Sequence, residues 1–137
     1  MSSVRVLVVD DFEPFRRFVR STLTQRPNLQ VIGEASDGLE AVQKTEALKP
    51  DLILLDIGLP RLNGIEAGRR IRQLSPKSKI VFVSQESAPD IVQEALDSGA
   101  SGYVWKTRST TDLLAAIDAV LDGRRFVSKG LISDGPA

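Results

Sequence analysis

The 137-residue sequence contains neither cysteine nor histidine. Without thiols there is no disulfide framework and no thiolate metal site, which fits a reducing compartment and makes the cytoplasm the expected location. Without imidazole, Ser-His-Asp and Cys-His nucleophiles, histidine metal sites and an internal phosphohistidine are all excluded. An excess of one charge is missing too: 18 basic residues stand against 18 acidic ones, so no global field draws the chain toward nucleic acid or anionic lipid. Long apolar runs are also absent. The stretch that follows Met1-Ser2-Ser3-Val4-Arg5 meets acid at Asp10, too early for a signal-peptide core or a bilayer span, so no membrane partner is expected. The chemistry left to this chain is that of carboxylates, hydroxyls and lysine.

What is present, 42% hydrophobic and 26% charged residues, suits one compact domain. Apolar runs of strand length alternate with longer segments of helical period, which is the signature of an α/β fold with a parallel sheet. Five strands are expected, at Val4 to Val9, Leu29 to Ala35, Leu52 to Leu55, Ile80 to Val83 and Gly102 to Trp105. Their near-continuous Val, Ile and Leu imply a sheet covered on both faces. A first helix is expected from Glu13 to Gln25, with Pro14 in its first turn and Phe15, Phe18, Val19, Thr22 and Leu23 on one face. A second is capped by Asp37 and carries Leu39, Val42 and Leu48; a third starts near Asn63-Gly64 and shows Ile65, Gly68, Ile71 and Leu74. A fourth runs from Pro89 to Gly99 with Ile91, Ala95 and Leu96. A fifth is capped by Thr110 or Thr111, presents Leu113, Ala116, Ile117, Val120 and Leu121, and ends at Gly123. The expected domain spans residues 1–123. From Arg124 to Ala137 the periodicity fails, as in a linker or an unanchored end.

In an open parallel sheet, functional groups collect beyond the carboxyl ends of the strands. Here those ends carry Asp10-Asp11 after strand one, Asp56 after strand three, Ser84 after strand four and Lys106 after strand five. With the order 2-1-3-4-5, strands one and three are neighbours about 5 Å apart, so Asp11 and Asp56 can share one cation. Clustered carboxylates repel, and a divalent ion would neutralise them; an all-oxygen site without His or Cys points to magnesium. Taken singly, the residues have plainer readings. Asp10-Asp11 would be a helix cap, Asp56 a turn residue, Ser84 a cap or turn hydroxyl and Lys106 a solvated charge. It is their joint placement at strand ends that argues for a site built for phosphate transfer.

These residues resemble a known family. Val8-Val9-Asp10-Asp11, Leu54-Leu55-Asp56-Ile57-Gly58-Leu59-Pro60, Asn63-Gly64, Val83-Ser84 and Gly99-Ala100-Ser101-Gly102-Tyr103-Val104-Trp105-Lys106, in that order, are similar to the receiver domains of two-component response regulators. The resemblance implies a doubly wound (βα)5 fold with Asp56 accepting a phosphoryl group from a sensor histidine kinase. Asp11 and Asp56 would hold Mg2+ directly, Asp10 through water, and the carbonyl of Gly58 would complete the protein's share. Ser84 and Lys106 would hold phosphoryl oxygens, and Tyr103 would turn inward as Ser84 moves, changing the face made by the fourth helix, fifth strand and fifth helix. Such a domain assists its own phosphorylation and dephosphorylation but is not an enzyme acting on external substrates. The Asp56-Ile57-Gly58-Leu59-Pro60 wording and the exit Gly123-Arg124-Arg125-Phe126 resemble the NarL/FixJ class, whose receivers precede a LuxR-type DNA-binding domain that this sequence does not include. The implied output is transcription, with DNA met only through that domain; the alternative is a stand-alone receiver acting by protein-protein interaction. A homodimer through the first and fifth helices, or through the fourth helix, fifth strand and fifth helix, is also implied. One departure stands out: Thr107 follows Lys106 where the family commonly has proline. A non-proline cis peptide costs about 3 kcal/mol, so the cis bond usual there is not implied here.

Two rival classes fit less well. Aspartyl-phosphate hydrolases of the haloacid-dehalogenase type favour a second acid two residues after the nucleophile, where this chain has Gly58. Direct nucleic-acid binding would use Arg61, Arg69, Arg70, Arg72, Lys77 and Lys79. With no interleaved aromatics or binding motif, a solvated helix face is the better reading of that cluster.

Overall fold

The structure, a computed structural model, describes residues 3–131. Five β-strands alternate with five α-helices: β1 (Val4–Val9), α1 (Glu13–Leu23), β2 (Leu29–Ala35), α2 (Gly38–Leu48), β3 (Leu52–Leu55), α3 (Gly64–Leu74), β4 (Lys79–Ser84), α4 (Pro89–Asp97), β5 (Gly102–Trp105) and α5 (Ser109–Leu121). All pairings are parallel, and the spatial order is β2-β1-β3-β4-β5, extended by a short β6 (Phe126–Val127) on the β5 edge.

The strands divide their side chains by parity, as the period of two requires. Leu7, Val9, Ile53, Leu55, Ile80, Phe82 and Tyr103 form one core with Ala41, Ile65, Ile71, Val92, Ala95 and Leu96 of α2, α3 and α4. Val6, Val8, Leu52, Leu54, Val81, Val83 and Val104 form the other with Val19 and Leu23 of α1 and Leu113, Ala116, Ile117 and Val120 of α5. Two helices therefore cover one face and three the other, the outcome of crossovers that reverse side at β1 and β3.

The expected strands and their order are present, with several local differences. The first helix stops at Leu23, two residues early, and its terminal turn is closed by Thr24 donating to the Ser21 carbonyl. Asp37 and Asn63 cap α2 and α3 through their side chains, accepting from the backbone N–H groups of Glu40 and Glu66 at 2.8 and 3.0 Å. Leu39 and Leu74, expected on buried stripes, are exposed. Neither Thr110 nor Thr111 caps α5, because a 3₁₀ turn over Lys106–Arg108 leads directly into it at Ser109. The sharpest correction concerns the end of the chain. Residues 126–131, expected in a linker or unanchored end, pack on the domain: Phe126 and Val127 pair with Gly102 and Tyr103, and Leu131 is buried in the core. Residues 132–137 of that expected tail lie outside the described residues.

Candidate functional site

The register of the central strands sets the site. Val9 lies opposite Leu55, so Asp10 and Asp56 leave the sheet side by side, and the Asp56 N–H donates to the Val9 carbonyl at 3.1 Å. Ser84 lies opposite Trp105, which puts Lys106 one residue beyond the same edge. The turn after Asp56 is held by close backbone packing. Gly64 opens α3 directly against the Asp56 carbonyl, and a Cβ at this position would sit 1.8 Å from that oxygen. Only glycine allows the helix to start there.

One carboxylate oxygen from each of Asp10, Asp11 and Asp56 lies within 4.8 Å of the others. Asp10 and Asp56 are buried and Asp11 is exposed. The Lys106 Nζ lies 2.6 Å from Asp10 Oδ2 and 3.3 Å from Asp56 Oδ2. The nearer contact is an ion pair, and beyond it Asp10 Oδ2 has no further polar partner among the described residues. The other oxygens are held by backbone: Phe12 N–H donates to Asp10 Oδ1 at 2.9 Å, and Ile57 N–H to Asp56 Oδ1 at 2.7 Å. Burial raises the Asp10 carboxyl above its ordinary value, with Lys106 and the Phe12 N–H opposing and the Asp56 charge adding to the rise. A buried, underpartnered oxygen beside two further carboxylates matches the all-oxygen donor set a hard divalent cation takes, so the residues fit such an ion.

Above the acids opens a cavity of about 340 Å³ lined by Asp11, Asp56, Gly58, Ser84, Glu86 and Lys106, among others. A Cβ at Gly58 would meet nothing within 4 Å, so the mouth is open on that side. The buried Ser84 hydroxyl oxygen accepts the Glu86 N–H at 3.1 Å. Tyr103, expected to turn inward, is fully buried here, its ring 6.2 Å from Phe82 and its hydroxyl donating to the Glu86 carbonyl at 2.7 Å. Burial pushes its phenol up to about 12, against a lowering influence from Ser84. No peptide bond is cis among the described residues, so Lys106–Thr107 is trans, and Lys106 reaches both acids from that backbone.

All seven residues singled out in sequence thus meet at one sheet edge: six at the cavity and its floor, and Tyr103 just behind the loop that bounds it. Sequence reading passed over Phe15 as a site residue. It counted there only as part of an apolar stripe, yet the Lys106 Nζ lies 4.5 Å from the centre of its ring. In the arginine-rich segment 61–79, three of the six cations are engaged in ion pairs among the described residues. Arg69 pairs with Glu66 and Glu94, Arg70 with Glu66, and Arg61 with Asp37. No described helix is long and apolar enough to cross a membrane.

Comparison with known proteins agrees with this geometry. The profile of the response regulator receiver domain matches residues 6–118. The nitrate/nitrite response regulator NarL of Escherichia coli is 36% identical over 126 residues, covering 92% of this chain and 58% of NarL. The transcriptional regulatory protein DegU of Brevibacillus brevis is 32% identical over 126 residues, covering 92% of this chain and 53% of DegU. The chain therefore spans little more than half the length of these relatives. Among solved structures, a LuxR-family two-component response regulator from Aurantimonas sp. SI85-9A1 superposes with a TM-score of 0.89 at 35% identity, covering 95% of this chain and 93% of that one. The signal receiver domain of the response regulator NarL from Mycobacterium tuberculosis gives 0.84 at 32% identity, covering 90% and 100%. Fold, acidic pocket and sequence agree, and the chain belongs to the response regulator receiver domain family, a family of phosphoacceptor domains.

Proposed function

We propose that Asp56 is the phosphoacceptor of this receiver and that a sensor histidine kinase is the donor. The observation that carries the reading is the convergence of Asp10, Asp11 and Asp56 within 4.8 Å, with the Lys106 ammonium between two of them, at the floor of an open cavity. Transfer breaks the P–N bond of a phosphohistidine and forms a P–O bond to an Asp56 carboxylate oxygen, the imidazole leaving with the bonding pair. Oδ2 is the better candidate, because Oδ1 is held by the Ile57 N–H while Oδ2 faces Lys106. Lys106 and the Ser84 hydroxyl would hold phosphoryl oxygens, and pre-positioned charge of this kind supplies most of the rate effect in phosphoryl transfer. Asp11, Asp56 and the Gly58 carbonyl would hold Mg2+ directly and Asp10 through water, and the ion when bound supplies charge neutralisation for the anionic phosphoryl group.

The same contacts are large enough to drive a switch. A hydrogen bond from Ser84 and an ion pair from Lys106 are each worth about 1.5–3 kcal/mol. Their sum is comparable with the roughly 5.5 kcal/mol that moves a two-state equilibrium from 1:99 to 99:1, provided the contacts to phosphate form only in the active state. Tyr103 links the site to the output face, since its hydroxyl holds the loop between β4 and α4 through the Glu86 carbonyl. The output proposed is transcriptional control through a LuxR-type DNA-binding domain, as in the regulators this chain resembles.

Intact mass tests the acceptor directly. After incubation with magnesium and phosphoramidate the chain should gain one phosphoryl group, roughly 80 Da, and the Asp56→Asn variant should gain none. A folded, magnesium-replete chain that gains no mass would sink the reading.

A further inference from the structure

Among the described residues, two carboxylates and one aromatic ring lie close to the Lys106 ammonium. The carboxylates are those of Asp10 and Asp56, at 2.6 and 3.3 Å, and the ring is that of Phe15, its centre 4.5 Å away. Such a separation lies well inside the range over which an aromatic face attracts a cation. The lysine side chain is only 12% exposed, so water replaces little of what these neighbours provide. Phe15 is itself fixed. It stands in the first turn of α1, directly after Pro14, and its ring packs against Phe18 with centroids 5.5 Å apart.

We propose that Phe15 is a positioning residue of the phosphoryl-transfer site, its ring holding the Lys106 ammonium in place over Asp10 and Asp56. The proposal rests on Asp56 being the phosphoacceptor. A lysine carries four rotatable side-chain bonds, and the value of its charge to transfer depends on where the ammonium sits before the donor arrives. The two carboxylates attract Nζ but leave it a choice between them, and the shorter contact is to Asp10 rather than to the acceptor. An aromatic face limits that choice while offering electrostatic compensation for the water it excludes. Leucine would exclude the same water and offer none.

Graded fluorination separates this role from packing, because it weakens the electron-rich face of the ring with little change of shape. Phe15 is replaced in the full chain by 4-fluoro-, 3,5-difluoro- and 3,4,5-trifluorophenylalanine, with Phe15→Leu and Phe15→Trp alongside. The rate of phosphorylation by phosphoramidate is measured in saturating magnesium, together with the NMR shifts of the Lys106 ε-methylene protons. The expected result is a stepwise fall reaching about two- to fivefold in the trifluoro form. Phe15→Leu should fall at least as far, and Phe15→Trp should retain the native rate. The ε-methylene protons should lie upfield in the native chain and lose that displacement in Phe15→Leu. A flat rate across the fluorinated series, in a chain that is phosphorylated normally, overturns the role of Phe15 alone. A native chain that takes no phosphoryl group on Asp56 overturns the acceptor reading and this proposal with it, and the rate in the unsubstituted protein tells the two failures apart.

Discussion

Lys106 stands between two acids that would otherwise face each other, and its removal exposes what it holds. In Lys106→Met the chain keeps the stem that packs near Phe15 but loses the charge 2.6 Å from Asp10 and 3.3 Å from Asp56. Both carboxylates are buried, so their repulsion and desolvation go unopposed. The variant should unfold about 1.5–3 kcal/mol more easily at neutral pH without divalent cations, read as a lower urea midpoint at unchanged slope. Added magnesium should recover part of the loss and stabilise the variant more than the native chain, since the cation then does alone what it otherwise shares with the ammonium. Equal magnesium effects on both proteins would show that ion and ammonium do not act on the same carboxylates. Phosphorylation of the variant should be impaired even with magnesium saturating.

At the scale of elements, the site depends on how closely α3 begins behind Asp56. Gly64→Ala would drive a methyl group to 1.8 Å from the Asp56 carbonyl oxygen, so either the helix start or the acceptor loop must move. We expect a loss of about 2–4 kcal/mol and a matching fall in phosphorylation. Gly58→Ala, two residues past the acceptor, meets nothing within 4 Å and should stay within about 0.5 kcal/mol of the native chain. Urea titration of the pair side by side decides the point, and equal stability of the two variants would contradict it. The contrast also shows what sequence could and could not reveal. The strand-end residues Asp10, Asp11, Asp56, Ser84 and Lys106 were legible because a parallel sheet collects them at one edge by topology alone. The cap Asp37 and the start of α3 near Asn63-Gly64 were legible because their chemistry is local. The start of α5 was not, because a threonine cap and a 3₁₀ entry read alike in sequence and only the packing of Ser109 and Asp112 separates them. Phe15 was visible as an apolar position but not as a neighbour of Lys106, since that contact joins residues 91 positions apart through the fold.

For the molecule as a whole, the open question is where the cooperative unit ends. Helical periodicity stops at Gly123, yet the following segment is tied to β5 and α5 by a polar clasp. The Ser128 hydroxyl donates to Asp112 Oδ2 at 2.7 Å, its oxygen accepts the Trp105 N–H at 3.0 Å, and its own N–H donates to the Tyr103 carbonyl at 3.0 Å. Burial raises the Asp112 carboxyl, but the Ser128 hydroxyl and the Arg108 guanidinium outweigh it and leave the group below its ordinary value. A depressed folded pKa means stability that is present above the unfolded value near 3.9 and is lost as the pH falls through the folded one. Ser128→Ala removes one of those stabilising partners. It should cost about 1–3 kcal/mol at pH 7, and the penalty should shrink as acid protonates Asp112 in both proteins. Urea midpoints from pH 7 down to 3 would show the two curves converging, and parallel curves would mean that the clasp does not act through the carboxylate.

Ending the chain at Gly123 is the larger test of the same idea. Phe126 and Val127 would leave the β5 edge, the Ser128 clasp would go, and Leu131, buried to 1% exposure among the residues of the α2–α4 face, would leave a hole there. Deleting a buried leucine side chain costs about 2–5 kcal/mol by itself. The fragment 1–123 should therefore be folded far less stably than the full chain, by more than the Ser128→Ala variant. Because Tyr103 and Trp105 are among the residues that hold the segment, its release would also loosen β5 just before Lys106. The fragment should then accept phosphate more slowly even at a temperature where it remains folded. If 1–123 proves as stable and as reactive as the full chain, residues 124–131 lie on the domain without belonging to it. The route from Asp56 to anything attached beyond them would then have to run through the face made by α4, β5 and α5.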